Sequence, residues 1–328
     1  MAVLVTGGAG YIGSTTVSML MEAGEQPVVL DNLSYGHRAA VDEDVPFYQG
    51  DFGDAELVKS ICEKHQVDAC IHFAAFIQVG ESVANPAIYY ENNTANAVRL
   101  LTALKDCGVK NLVFSSTAAT YGEPVRMPID EEHPQRPENA YGWSKYMVER
   151  ILDDFDQAYG FKSVALRYFN ACGAITGKGE DHSPESHLIP LVLFAAMGKR
   201  DSIKIFGTDY DTEDGTCVRD YIHVADLAQA HILAIRYLRD SGDSQKINLG
   251  NGNGYTVRQV IETAKEVTGL PIKVEETPRR PGDTSHLIAD SRKARDVLGW
   301  DPKFPELKTI IATAWEWHQS HPNGYNDR

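Results

Sequence analysis

Along the first half of the chain, short apolar runs alternate with longer stretches in which apolar residues recur every three or four positions. The runs are "AVLVT" (2–6), "PVVLD" (27–31), "ACIHF" (69–73), "NLVFS" (111–115) and "SVALR" (163–167). The helical patterns between them cover about 12–23, 54–65, 86–106 and 141–158. An unbroken apolar run bounded by turn residues predicts a strand buried on both faces, and strands alternating with helices predict a parallel sheet covered on both sides. Crossovers in such a sheet are right-handed. The expected fold is therefore α/β, a doubly wound parallel (Rossmann) sheet, whose ligands sit at the carboxyl ends of the strands.

Beyond residue 172 the alternation loosens. "CGAITGKGEDHSPES" (172–186) is rich in glycine and polar residues and reads as a long loop, the kind that usually carries function or moves. Helical patterns return near 188–198, 223–240, 256–269 and 306–318, which predicts a second, smaller region.

Composition narrows the picture. The 328 residues are 43% hydrophobic and 23% charged, as in a soluble globular protein with ample core. A formal charge of −15 argues against a general nucleic-acid or acidic-membrane surface, so an anionic ligand would need arginines gathered locally. The five cysteines are odd in number and contain no Cys-x-x-Cys, which suggests neither a disulfide framework nor a zinc knuckle. The eleven histidines show no His-Glu-x-x-His or similar spacing, so no metal is expected. The chain runs straight into a strand without a basic leader, and no apolar run reaches membrane length; the expectation is a reduced, cytoplasmic protein.

"LVTGGAGYIGS" (4–14) follows the first strand and opens the first helix. Gly7, Gly10 and Gly13 are spaced G-x-x-G-x-x-G. Such a loop provides a tight turn, close backbone approach to a pyrophosphate and close packing of helix on strand. The helix N-terminus then offers N–H donors to phosphates. Asp31 ends the second strand, 18 residues after Gly13, where an acid can bind a ribose 2′-hydroxyl and would repel a 2′-phosphate. That predicts NAD rather than NADP; Asp31 followed by Asn32 could also simply start a turn. In "QGDF" (49–52), Asp51 could accept from an adenine amino group and Phe52 could pack beside the ring, or the segment could be a plain turn.

"NAYGWSKYMVER" (139–150) holds the one Tyr-x-x-x-Lys of the sequence, Tyr141 and Lys145. Four residues make about one helical turn, so both side chains share a face, and a nearby cation favours a phenolate. The fourth strand region ends in "FSSTAATYG" (114–122), which brings the hydroxyls of Ser115, Ser116 and Thr117 to the carboxyl edge of the sheet, or leaves them capping their own loop. Together these residues suggest a phenolate base tuned by lysine, a hydroxyl that holds the reacting oxygen, and NAD⁺ to take the hydride.

With "TGGAGYIGS", "LDNLS", "YGWSKYMVE", "ALRYFNACGA", "GEDHSPESHLIP", "DGTCVRDYIHV" and "PRRPGD", the chain resembles the extended short-chain dehydrogenase/reductase family. Within it, the likeness is to the UDP-sugar 4-epimerases that interconvert UDP-glucose and UDP-galactose. The resemblance implies an isomerase with tightly bound NAD that passes through a transient 4-keto sugar. It implies an NAD-binding domain over 1–172 and a UDP-sugar-binding region over 173–328, with parts near 220–250 returning to the first. Tyr141 would be the base, Lys145 its tuner and Thr117 the hydroxyl. Gly7, Gly10, Tyr11, Ile12, Gly13, Asp31, Asn32, Asp51, Phe52, Phe73, Ala74, Asn92, Ser115, Tyr168 and Phe169 would contact NAD, beside Tyr141 and Lys145. Thr117, Asn170, His187, Leu188, Phe206, Arg219, Arg280, Asp283 and Leu287 would surround the UDP-sugar. Arginine suits a pyrophosphate by its fork geometry, which fits the Arg279–Arg280 pair in an acidic chain. Ile77 stands where some members carry lysine and His187 where some carry asparagine; Trp143 has no assigned role. The resemblance also implies a homodimer formed by helices near 86–106 and 141–158.

Two rivals differ in class. A related 4,6-dehydratase needs an added acid beside the hydroxyl residue, and "STAATYG" has none; a decarboxylase of the same family, or an epimerase acting on another UDP-sugar, is the neighbouring possibility. A non-catalytic NAD-binding sensor would have no use for an intact Tyr141, Lys145 and Thr117.

Overall fold

The computed structural model describes residues 1–240, 242–280 and 283–327. Of the "PRRPGD" motif, Pro281 and Gly282 thus lie outside the described residues.

Seven parallel strands form the main sheet: β1 (Ala2–Thr6), β2 (Gln26–Asp31), β3 (Phe47–Gln49), β4 (Val67–His72), β5 (Asn111–Thr117), β6 (Lys162–Tyr168) and, after three strands assigned below, β10 (Gln245–Leu249). Their order is β10-β6-β5-β4-β1-β2-β3, every neighbouring pair parallel. The five runs read from the sequence are the five central strands. The edge strands β3 and β10 are short and mixed in character, so neither stands out as an apolar run. The order reverses between β1 and β4, and a doubly wound sheet opens its ligand crevice at that point.

Both faces of the sheet are covered because its strands are apolar on both sides. Val3, Val5, Val29 and Ile71 face a core completed by α1 (Tyr11–Glu22) and α8 (Val224–Arg239). Leu4, Val28, Cys70 and Leu112 face the other, built with α2 (Ala55–His65), α5 (Asn96–Asp106) and α6 (Ala140–Tyr159). Ahead of α5 run α3 (Val79–Ala84), α4 (Pro86–Tyr89) and a π-helical turn over Tyr90–Ala95, so the pattern expected as one helix over 86–106 is locally underwound.

A second core surrounds β7 (Asn170–Cys172), β8 (Ile203–Phe206) and β9 (Val218–His223), with α7 (Leu188–Ala196), α9 (Val257–Thr268) and α11 (Leu307–Ser320). β9 pairs with β7, with β11 (Gly254–Thr256) and with β13 (His286–Leu287), while β12 (Val274–Thr277) pairs with β8. Helix α10 (Arg292–Leu298), between β13 and α11 in the chain, packs instead on α8 and β10, with Ala294 and Leu298 in the first core. Among the described residues, no helix is long and apolar enough to cross a membrane.

Candidate functional site

The glycine loop is fixed by its own backbone. Gly7 has φ +74°, and a Cβ there would lie 2.5 Å from the Ala74 nitrogen; one at Gly13 would lie 2.1 Å from the Gly7 carbonyl oxygen. The fold itself therefore requires glycine at both positions. Gly10 differs: the nearest atom to a Cβ there is the Gly7 oxygen at 3.4 Å, an ordinary contact. Among the described residues no atom accounts for this glycine, whereas a phosphate brought against the backbone would. Gly10 is also the N-cap of α1 and no side chain caps that end, which leaves the first-turn N–H groups to a ligand or water. Tyr11, in that turn, donates its hydroxyl to the Gly173 carbonyl at 2.6 Å, tying the loop to the start of the 173–187 segment; Ile12 packs against the sheet core.

Asp31 is buried at the end of β2. Its carboxylate accepts from the Ala9 N–H at 3.0 Å and the Leu33 N–H at 2.8 Å. Burial raises its pKa, partly offset by these two donors. Asp31 thus both shapes the glycine loop and starts a turn, in which the Asn32 side chain accepts from the Ser34 N–H. Each carboxylate oxygen still has a lone pair for a ribose hydroxyl. Phe73 and Ala74 follow β4, their N–H groups both directed at the Thr6 carbonyl, so this segment roofs Gly7. Asp51 and Asn92, with Phe76 and Asn96, line an open cleft of about 480 Å³. Phe52 corrects the expectation: its side chain is 4% exposed and sits in the core with its ring 4.9 Å from His72. A core ring does not lie open beside an adenine.

The three hydroxyls at the end of β5 do not emerge together. Side chains alternate along a strand, so Ser115 and Thr117 share one face and Ser116 takes the other. Ser116 donates to Glu149 at 2.5 Å, inside a buried network. There Arg167 binds Glu149 through Nε (2.9 Å) and Nη2 (2.6 Å) and donates from Nη1 to the Tyr121 hydroxyl (2.8 Å). Ser115, by contrast, shares a hydrogen bond with the Tyr168 hydroxyl; Phe169 follows, half-buried.

Helix α6 begins at Asn139, whose side chain accepts from the Gly142 N–H, and this cap sets Tyr141 in the first turn. Burial raises the Tyr141 phenol, and a hydrogen bond with Thr117 pulls it back in part. Lys145 is 2% exposed, donates to the Ser115 carbonyl at 2.9 Å and sits over the Phe114 ring. Burial brings its ammonium down to about 7. In the free chain desolvation drives both groups toward their neutral forms. The hydroxyl touching Tyr141 is that of Thr117.

The second cluster lies on β8, β9 and β13. Arg219 donates to the Thr284 carbonyl at 2.9 Å and lies 3.6 Å from Asp283, which also pairs with Arg280 at 3.0 Å. The Arg280 guanidinium lies over the half-exposed Phe206 ring, 5.1 Å from its centre. Its neighbour Arg279 is turned onto Tyr210 and Asp209, so the arginine pair divides its work. Leu287 is half-buried and pairs in register with Arg219. Asn170 donates to the Asp220 carbonyl at 2.8 Å. Sequence reasoning missed Asp220, whose buried carboxylate accepts from the N–H groups of Asn251, Gly252 and Ala289 and so holds the strands that carry Arg219 and Leu287. A single acid in a motif carries no sign of burial. His187 is the N-cap of α7 and Leu188 its first residue. Attraction from Glu180 raises the His187 imidazolium well above its ordinary range, against burial.

A dinucleotide crevice, a Tyr–Thr–Lys group at the end of β5 and an arginine-rich cluster around β9 define an NAD-dependent enzyme of the nucleotide-sugar class. Residues 3–250 match the NAD dependent epimerase/dehydratase family, and the chain belongs to it. It is 56% identical over 328 residues to a UDP-glucose 4-epimerase of Halalkalibacterium halodurans, covering 99% of this chain and 98% of that protein. The UDP-glucose 4-epimerase of Brucella ovis, solved in complex with NAD, superposes with a TM-score of 0.94 at 46% identity, over 96% of this chain and 97% of that one. That of Bifidobacterium longum, in complex with NAD+ and UDP, gives 0.93 at 38% identity, over 99% and 100%.

Proposed function

We infer that the chain interconverts UDP-glucose and UDP-galactose by inverting C4 of the sugar, using tightly bound NAD. Gly10 is the observation that carries the cofactor part: it is a glycine the fold does not need, at the uncapped start of a helix, beside a buried carboxylate. Gly7, Gly10, Gly13 and the first turn of α1 would hold the pyrophosphate, and Asp31 a ribose. When bound, NAD⁺ supplies the two-electron acceptor and donor for C4 and a cationic ring that favours an anionic base. Tyr141 takes the proton from the C4 hydroxyl and later returns it. Thr117, hydrogen-bonded to Tyr141, holds the same oxygen. Lys145 supplies a group whose protonation balances a phenolate beside it. Arg219, Arg280 and Phe206 anchor the UDP while the 4-keto sugar turns to present its other face. Residues 1–172 would then form the NAD-binding part and 173–328 the UDP-sugar part, with the stretch near 220–250 rejoining the first. The purified chain, given UDP-galactose and no NAD, is expected to form UDP-glucose; dependence on added NADPH, or no product, overturns the reading.

By its resemblance to the UDP-sugar 4-epimerases, Leu287 would border the C2 substituent of the sugar; it pairs in register with Arg219. An N-acetyl group adds atoms that a packed wall absorbs only with strain of about 1–3 kcal/mol. Leucine leaves more room there than tyrosine. UDP-N-acetylglucosamine is expected to turn over more slowly than UDP-glucose, and Leu287→Tyr to widen the gap. Comparing kcat/KM for both sugars checks this; an unchanged ratio removes Leu287 as the gate.

The functional unit would be a two-fold homodimer built from α5 and α6, and this gives Trp143 a role. Val98 on α5 and Trp143 and Met147 on α6 are 37%, 39% and 38% exposed, a large apolar group on neighbouring helices. Light scattering at micromolar concentration should give twice the chain mass; a monomer mass rejects it. Five free cysteines fit a reducing, cytoplasmic setting.

A further inference from the structure

The 173–187 loop gathers four side chains that the chemistry above does not use as a group. "EDHSPESH" spaces them Glu-x-His-x-x-Glu-x-His, which matches no helical metal motif, yet the folded loop brings Glu180, His182, Glu185 and His187 together. One donor atom from each lies within 4.8 Å of all the others. His187 Nδ1 is 2.8 Å from Oε1 of both Glu180 and Glu185, and His182 Nδ1 is 3.2 Å from Glu180 Oε1. The two carboxylates are nearly withdrawn from solvent, with Glu180 5% and Glu185 6% exposed. The second oxygen of Glu185 is buried and has no hydrogen-bond partner among the described residues. A buried carboxylate oxygen facing nothing is costly, and its presence calls for a missing partner.

A cation is the partner that satisfies all four groups at once. Two imidazoles and two carboxylates form a mixed nitrogen–oxygen set that suits zinc better than magnesium or calcium, which prefer oxygen alone. Tetrahedral zinc with bonds of about 2.0–2.2 Å places neighbouring donors about 3.3–3.6 Å apart. The pairs at 2.8 Å need to open by about 0.5–0.8 Å, and any pair at the 4.8 Å limit to draw in by about 1.2–1.5 Å. Two anionic and two neutral ligands also cancel the charge of a divalent ion.

We propose that Glu180, His182, Glu185 and His187 form a closed zinc site that pins the 173–187 loop to the start of α7. Four protein ligands and no open position make its role structural rather than catalytic. The site fixes the backbone of His187 and Leu188, and because His187 faces the cluster through Nδ1, its Nε2 is the atom left for a ligand outside. The assignment does not depend on the sugar reading.

The test uses the untagged, full-length chain, stripped with a chelator and titrated with zinc chloride in a calorimeter. The expected result is about one zinc ion per chain, with a rise in the thermal unfolding midpoint. Replacement by cobalt should give the intense visible bands of a four-coordinate centre. His182→Asn and Glu185→Gln are each expected to weaken zinc at least about tenfold, the lower end of what losing even an outer-shell partner costs. Circular dichroism checks that both variants fold; the wild-type cobalt spectrum decides the matter if either does not. Absence of stoichiometric zinc, a pale six-coordinate cobalt spectrum, or affinity unchanged in both folded variants overturns the site.

Discussion

Replacing Tyr141 by phenylalanine is expected to lower kcat by at least about 100-fold, the usual cost of removing a general base, while KM changes little. The ring remains, so packing at the start of α6 is kept and only the phenol oxygen is lost. The Thr117 hydroxyl then loses the phenol and keeps the Ala119 N–H, from which it accepts at 3.1 Å. Steady-state kinetics on UDP-galactose separate the two parameters. Near-normal turnover in the variant would show that the proton leaves by another route; a large rise in KM with kcat intact would make Tyr141 a binding residue instead.

The largest effect on stability is expected at Arg167. Its side chain is 1% exposed and that of Glu149 is fully buried, 2.6 Å away. Removing one partner of such a pair strands a charge and typically costs about 3–5 kcal/mol. Among the described residues, Arg167→Met leaves Glu149 with Ser116 and Gln135, and Tyr121 with Asn248. Because Glu149 lies on α6, Ser116 on β5 and Arg167 on β6, the network also locks the helix of Tyr141 and Lys145 to the strands beneath it. Urea unfolding of Arg167→Met, Glu149→Met and the double variant should show the double losing less than the sum of the singles. A single-variant cost below about 1 kcal/mol would mean that the pair contributes little beyond a hydrophobic contact.

The contrast between these two residues shows what a sequence discloses. Tyr141 was legible because spacing and context act together: a helix after a loop, one turn between phenol and ammonium, and hydroxyls at a strand end. Glu149 and Arg167 were not, since they lie 18 residues apart on different elements and nothing in a lone acid or base announces burial. The central strands were legible as apolar runs, whereas β8 alternates buried and exposed residues over only four positions and β13 has two. Ser116 was grouped wrongly because a cluster of hydroxyls in sequence is split by the strand's own alternation. Nor does the motif holding Phe52 disclose that its ring turns into the core. The Glu180–His187 cluster is likewise a product of loop folding, where no fixed spacing applies.

The central claim is that hydrogen leaves C4 and returns to it without passing through water, held between a bound cofactor and a substrate anchored at its UDP end. The direct measurement is to run the conversion of UDP-galactose in D₂O, with no NAD added, and examine C4 of the product by NMR. UDP-glucose carrying ordinary hydrogen at C4 is expected. Deuterium at that carbon would contradict it.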